Sequence, residues 1–426
     1  QERLFDDLQN GRTVPVSKAM VWEAFKRLKN KGRAAGIGAE SMRQYEEQLK
    51  SNLYKLYKLW NRMSSGSYFP PPVRAVRIPK SGGGERKLGV APLSDKVGQM
   101  VVKQAIEARL EAVYEANSYG YRPEKGAHKA LEAVRKNAHR YGWVIDLDIK
   151  GFFDNIDHEL LMKALSRHVE EKWILMYVRR WLAAPIRGED GQLTYRTGRG
   201  TPQGGIISPI LANLFLHYAL DKWLCKHYPQ TKFVRYADDV IIHANSEQEA
   251  RGLLESIRAR LNACKLSLNE EKTRIVYCKS YNREEEYPVV KFDFLGYSFQ
   301  PRSMYHPKYG GGIGFSPAIS QSSRSQIYER LREMRLHRRT ERTLVQMASE
   351  LNPKLVGWIH YYGRYKRYKL REVFWHLDAR LVKWLVKKYK SLKGSRKRGR
   401  AMLRQIYKQM PTLFAHWKAG LCAVRY

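Results

Sequence analysis

Phe233-Val234-Arg235-Tyr236-Ala237-Asp238-Asp239-Val240-Ile241-Ile242 sets two adjacent carboxylates between two apolar runs. The pattern predicts two short strands within Phe233–His243 around a tight turn that presents Asp238 and Asp239. Two like charges side by side are costly near a core unless a cation sits with them. A hairpin turn aims both at one place, and carboxylate oxygen suits a hard ion such as Mg²⁺. Ordinary surface turns also carry Asp-Asp pairs, so the stretch alone leaves both readings open.

Upstream lies Trp143-Val144-Ile145-Asp146-Leu147-Asp148-Ile149-Lys150-Gly151-Phe152-Phe153-Asp154. Trp143–Ile149 reads as a strand, and Asp146 and Asp148, two apart, share one of its faces. Acidic residues are depleted in such strands, although a strand with one solvated face would look the same. A carboxylate from this strand, joined to Asp238 and Asp239, makes a site for two divalent ions. That arrangement serves nucleotidyl transfer, with one ion activating a 3′-OH and the other neutralising the leaving pyrophosphate. Between the two carboxylate stretches stands Gly200-Thr201-Pro202-Gln203-Gly204-Gly205-Ile206-Ile207-Ser208-Pro209. Its glycines let backbone approach a ligand, and Gln203 offers both donor and acceptor. A plain entry into an apolar helix over Ile206–Leu220 fits these residues equally well.

The chain has 426 residues, enough for two to three domains. With 43% hydrophobic and 12% aromatic residues, it is not disordered as a whole. A mean hydropathy of −0.57, with no apolar run of about 18 residues, argues against a membrane span. Gln1-Glu2-Arg3-Leu4 lacks the pattern of a signal peptide. Cys225, Cys264, Cys278 and Cys422 have no zinc-site spacing and read as reduced thiols, which suits a cytoplasmic protein. Lys and Arg number 78 against 41 Asp and Glu, a net charge of +37. Solubility needs far less, so the expected partner is a polyanion, nucleic acid above all. The charge is concentrated in residues 301–426, with 29 Lys and Arg against 6 Asp and Glu.

Residues 17–63 read as helices, with Ser17 as a cap. Val73–Pro79 alternates as a strand, Ser81-Gly82-Gly83-Gly84 reads as a turn, and residues 94–116 are helical again. Asp157 caps a predicted helix over 157–169, Glu247–Cys264 is amphipathic, and Phe292–Phe299 reads as a strand. Pro301, Pro307, Pro317 and Gly310-Gly311-Gly312 predict a boundary near Pro301–Ser316. Beyond it, Ser322–Arg339, Thr343–Tyr362 and Leu370–Tyr389 read as three helices, with a break at Asn352-Pro353. Lys383–Arg400 is so basic that it reads as a nucleic-acid grip or as a disordered basic tail. The whole pattern is α+β.

Asp148-Ile149-Lys150-Gly151-Phe152-Phe153-Asp154, Thr201-Pro202-Gln203-Gly204-Gly205 and Tyr236-Ala237-Asp238-Asp239, in that order, resemble a reverse transcriptase. Ile78-Pro79-Lys80, Glu85-Arg86-Lys87-Leu88-Gly89 and Asn117-Ser118-Tyr119-Gly120-Tyr121-Arg122-Pro123 extend the likeness. So do Leu268-Asn269-Glu270-Glu271-Lys272-Thr273, Phe294-Leu295-Gly296-Tyr297 and Asn352-Pro353-Lys354-Leu355-Val356-Gly357-Trp358. Together they resemble the group II intron-encoded reverse transcriptase/maturase family over nearly the whole chain.

That resemblance implies a right-hand polymerase of α+β class, with fingers, palm and a C-terminal α-helical thumb. Residues 1–70 would be an N-terminal helical extension and 71–300 the fingers and palm. Residues 301–389 would be the thumb, or domain X, and 390–426 a basic C-terminal segment. The implied activity is RNA-directed DNA polymerisation from a primer on an RNA or DNA template, using dNTPs and two Mg²⁺ ions, with Mn²⁺ as a substitute. Asp148, Asp238 and Asp239 resemble the catalytic metal ligands, with the carbonyl of Ile149 beside them. Asp148 is preferred to Asp146 because Phe153, five residues on, stands where the family places its sugar-sensing aromatic. Lys80 and Arg86 resemble the triphosphate-holding residues, Gln203 and Ala237 contacts to the incoming nucleotide, and Lys272 a lysine near the leaving phosphates. Arg122 reads as support for the fingers or as packing. Rings and cations interleave in the thumb at Arg364, Tyr365, Lys366 and Arg367. Lys387, Lys388, Arg396, Lys397 and Arg398 add a sequence-independent grip on RNA or DNA. The family also implies a group II intron RNA as partner and the bacterial cytoplasm or nucleoid as location. Two departures stand out. Ala35-Gly36-Ile37-Gly38-Ala39 lacks the Asp of the family's Ala-Gly-Val-Asp-Gly, and no His-Asn-His or Cys-pair nuclease signature follows the thumb, so target-DNA cleavage is not expected. A free-standing relative serving host DNA repair or defence, and a homodimer through the N-terminal helices, stay open as readings.

Overall fold

The computed structural model describes residues 14–31, 49–79, 85–306 and 310–422. Lys80, the turn at Ser81-Gly82-Gly83-Gly84 and the loop at Ala35–Ala39 lie outside the described residues, as does the side chain of Arg86. The chain forms two compact units. One comprises the described residues up to Gly126 together with Ile145–Ile275; the other comprises Ala127–Val144 and the described residues from Val276 onward.

In the first unit, helices Lys18–Lys31 and Leu49–Ser64 bury Val21, Ala24, Phe25, Leu56, Leu59 and Met63. Trp60 Nε1 donates to the Val16 carbonyl at 2.9 Å and ties the two ends of this layer. β1 (Val73–Pro79) pairs antiparallel with β2 (Glu85–Val90), with Ile78 opposite Arg86. Helix Leu93–Glu111 follows. β3 (Trp143–Leu147) is shorter than expected; Ile149 instead makes an isolated antiparallel bridge to Leu268. Asp157 caps helix His158–Leu165, its side chain accepting from Leu160 N at 2.9 Å. β4 (Ile186–Arg187) pairs parallel with β1 and antiparallel with β5 (Leu193–Thr194).

The apolar run after Gly205 differs from one continuous α-helix. Helix Ser208–Leu216 widens into a π-helical turn, His217–Asp221, before Lys222–His227. Arg260 braces that turn by donating to the carbonyls of Tyr218 and Ala219 at 2.9 and 3.0 Å. β6 (Lys232–Tyr236) and β7 (Asp239–Ala244) form the expected hairpin, and helix Glu247–Ala263 follows, capped by Ser246. With β8 (Arg274–Tyr277) these strands make a sheet of order β6-β7-β3-β8.

In the second unit, the predicted strand Phe292–Phe299 is two strands. β9 (Phe292–Phe294) turns at Leu295-Gly296, both at positive φ, into β10 (Tyr297–His306). The expected boundary at Pro301–Ser316 is a β-hairpin instead, because β10 pairs along its length with β11 (Gly310–Ile319). The prolines do not prevent this. Pro317 sits on edge strand β11, and β9 pairs only with Tyr297–Phe299, so Pro301 lies where β10 has an open side. Phe292 stacks on Phe299 at 4.9 Å and on Phe315 at 5.9 Å, which fixes the register.

Helices Gln321–Glu333, Leu344–Tyr362 and Leu370–Lys388 come next, the second opened by a Thr343/Gln346 capping box. Pro353 does not break its helix: burial of Leu351 and Leu355 on either side outweighs one lost backbone bond. Lys383–Arg400 is no disordered tail. Ser395 caps helix Arg396–Gln409, and Leu392, Leu403, Phe414 and Trp417 join the core formed by the preceding helices. Among the described residues no helix is long and apolar enough to cross a membrane.

Candidate active site and nucleic-acid surface

The two-residue turn between β6 and β7 is Ala237-Asp238, since Tyr236 pairs with Asp239. Ala237 sits at φ 57°, a value alanine reaches only when its surroundings impose it. Arg235 does so. It is fully buried, donates to the Ala237 carbonyl at 3.0 Å and to Asn213 Oδ1 at 2.9 Å, and pairs twice with buried Asp221 at 2.7 and 2.5 Å. Asn213 Nδ2 in turn donates to the Gly120 carbonyl at 2.7 Å. A Cβ at Gly120 would stand 2.4 Å from Ala237 N, so the 117–120 segment fits against this turn only because residue 120 is glycine. The π turn sets Asp221 at the end of this chain of bonds.

Asp238 is half-buried and Asp239 exposed at the head of β7. Asp148 follows β3, the neighbour of β7 in the sheet. Its backbone is held from the far side: Asn269 N donates to the Asp148 carbonyl at 2.8 Å, and Lys150 N donates to the Ser267 carbonyl at 2.9 Å. In this pattern Ile149 and Leu268 are opposite but not hydrogen-bonded to each other, so the Ile149 carbonyl points away from residue 268. Lys272 Nζ lies 4.0 Å from Asp148 Oδ2, with 67% of its side chain exposed. The donor set suits a hard divalent ion: solvent-reachable carboxylates with a backbone carbonyl alongside. As the side chains stand, no three His, Cys, Asp or Glu among the described residues are gathered closely enough to hold one.

Phe153, half-buried in the short helix Phe152–Asn155, meets Phe152 edge-to-face at 5.3 Å. Its carbonyl accepts from Thr201 N at 2.8 Å, and the Gln203 carbonyl accepts from Gly89 N of β2 at 2.7 Å. The 200–207 loop therefore links Phe153, Gln203 and the β1–β2 hairpin. Gln99 anchors it: Oε1 accepts from Ile206 N at 2.7 Å and Ile207 N at 3.3 Å. Gln99 Nε2 donates to buried Asp95 at 2.9 Å, which also accepts from Tyr68 and Trp181 at 2.6 and 2.7 Å. Burial pushes the Asp95 pKa up, opposed by those three donors.

Arg122 is fully engaged within its own segment: it donates to Glu111 and to the carbonyls of Glu115 and Ser118. Sequence reasoning passed over Arg235, Asp221, Asn213, Asp95 and Gln99. The available signal was a charge inside an apolar strand, Phe233-Val234-Arg235, which cannot be buried alone.

In the second unit the expected contacts divide. Arg364 and Arg367 are exposed, but Tyr365 donates to Glu132 at 2.8 Å and Lys366 is half-buried at φ 47°. Arg135 hydrogen-bonds the Glu132 carboxyl and, with burial opposing, holds its pKa down at about 2. Lys387 is exposed, whereas Lys388 is tied to the Thr340 and Arg342 carbonyls at 2.8 and 2.6 Å. Arg396, Lys397 and Arg398 are exposed on the first turn of their helix.

Residues 78–299, just over half of the chain, match the family described as reverse transcriptase (RNA-dependent DNA polymerase). Residues 324–403 match the group II intron, maturase-specific domain. Protein YkfC of Escherichia coli (strain K12) is 31% identical over 259 residues, covering 52% of this chain and 67% of that protein. Group II intron-encoded protein LtrA of Lactococcus lactis subsp. cremoris is 29% identical over 323 residues, 61% of this chain. The aligned part covers 52% of LtrA, so this chain spans about half its length. Among solved structures, telomerase from Candida albicans with a telomeric RNA fragment aligns at a TM-score of 0.44 and 15% identity, over 89% of this chain and 68% of that one. By the family match over residues 78–299 and the likeness to YkfC, the chain belongs to the reverse transcriptase family, and its C-terminal helices carry the group II intron maturase-specific domain.

Proposed function

We propose that this protein is an RNA-directed DNA polymerase that extends a primer on an RNA or DNA template, and that its helical unit binds a group II intron RNA as a maturase. The observation that carries the first part is the Tyr236–Asp239 turn, held by a buried arginine, at the head of the strand β7 that neighbours β3, which Asp148 follows.

Asp148, Asp238 and Asp239, with the Ile149 carbonyl, would hold two divalent ions. When bound, these lower the pKa of the primer 3′-OH and neutralise the charge of the leaving pyrophosphate. The 3′ oxygen would pass its proton to solvent water and bond to the α-phosphorus of a dNTP, while the bond to pyrophosphate breaks and its oxygen keeps the electron pair. Lys272, beside Asp148, holds the departing phosphates by charge. Phe153 bars a ribose 2′-OH by ring volume, and Gln203 and Ala237 line the incoming nucleotide. Lys80 and Arg86 grip its triphosphate.

Primer extension by Asp238→Asn tests this. The rate is expected to fall by at least about a hundredfold with an unchanged melting temperature; synthesis at the native rate would refute the assignment. Sequencing of RNA co-purified from native cells tests the maturase role. One enriched structured RNA carrying this reading frame supports it, and heterogeneous RNA refutes it.

A further inference from the structure

A cleft of about 640 Å³ opens between helices Gln321–Glu333 and Leu344–Tyr362. Arg330 and Met334 line one wall, four residues apart on one helix face. Lys354, Gly357 and Trp358 line the other, at i, i+3 and i+4. Arg339 closes the cleft and is engaged with Glu350 at 2.8 Å. Arg330 and Lys354, both exposed, bring positive charge to the rim, against one carboxylate, Glu333.

Gly357 is the second, independent observation. A glycine inside a helix weakens it relative to alanine, and such a residue usually admits a close neighbour. Here a Cβ at 357 would meet nothing within 4 Å. No packing among the described residues explains it. Gly357 thus leaves the cleft wall bare next to Trp358, whose half-buried indole packs in part against the core of this unit and in part lines the cleft, with two cations also in the lining.

The geometry points to a binding site for one unpaired nucleotide of a nucleic-acid strand. Its base stacks on Trp358 over Gly357, and its phosphate meets Arg330 and Lys354. An indole offers its face to any base, and cations at the rim suit a phosphodiester. A plain electrostatic patch would need neither the indole nor the glycine.

This rests on the reading that the helical unit binds nucleic acid, but it is measured without polymerisation. The probe is the full chain binding short single strands by fluorescence anisotropy, each as RNA and as DNA, with bases or with abasic sites. The wild type is expected to prefer the base-bearing strand by about tenfold, the scale of one stacked base. Gly357→Leu, which fills the cleft, should lose that preference while melting at the same temperature or higher; Gly357→Ala should raise the melting temperature. A preference in either series supports the site, and the tighter series names its strand. Equal binding of base-bearing and abasic strands by the wild type overturns the site, as does a preference that survives in Gly357→Leu. No binding of any strand overturns the nucleic-acid reading as well.

Discussion

Arg235 under the Tyr236–Asp239 turn and the cations of helix Arg396–Gln409 use positive charge in opposite ways. Arg235 is wholly buried and makes four bonds to Asp221, Asn213 and the Ala237 carbonyl. Arg396, Lys397 and Arg398 are exposed on the first turn of a helix, where the macrodipole opposes each of them by about 0.3–1 kcal/mol. The first arrangement shapes the backbone and is closed to ligands. The second is unfavourable for the fold taken alone and makes sense against an external anion. A buried charge is thus a positioning device, whereas the exposed cations at this helix start do nothing for the helix and belong to the proposed binding of nucleic acid.

Arg235→Met attacks the positioning side most directly. It strands Asp221 in the core and should cost about 3–5 kcal/mol in urea denaturation. Adding Asp221→Leu should recover much of that. A single-mutant loss below about 1 kcal/mol would break the comparison. Gln99→Leu leaves Ile206 N and Ile207 N without their acceptor and should cost about 1–3 kcal/mol. Because those amides set the 200–207 loop, KM for dNTP should also rise.

Glu132 lies between the extremes, half-buried and paired with Arg135 and Tyr365. Its pKa falls from an ordinary 4.5 to about 2. Its stabilisation is therefore complete above about pH 4.5 and fades as the pH drops from there toward 2. Tyr365→Phe should shrink that acid-dependent loss in a melting-temperature series; an unchanged series would leave Arg135 alone as the partner that lowers Glu132. Lys397→Gln should leave stability within about 0.5 kcal/mol and lower the slope of log affinity against log salt by about one. A large loss of stability instead would make this cation structural, like Arg235.

Local patterns carried much of the molecule. Strand β1, the β6–β7 hairpin, the Asp157 cap and helix Glu247–Ala263 follow from alternation, turn chemistry and amphipathic spacing, signals that act over a few residues. The β10–β11 hairpin did not follow. Its prolines and glycines read as punctuation, because only the partner strand shows that Pro317 lies at an edge. The stretch after Ser395 was likewise masked by its charge, since the residues that bury it, Leu403, Phe414 and Trp417, are spread too thinly to outweigh the cations.

The motif order by itself determined the family, and the charge count determined the basic helical end, since these depend on residue type and spacing. Only the tertiary structure decided what holds the site in shape. Asp95 meets Trp181 across 86 positions, Gln99 meets Ile206 across 107, and Arg235 meets Asp221 across 14. Buried polar groups must find partners wherever the fold brings them, and no local pattern names a partner that distant.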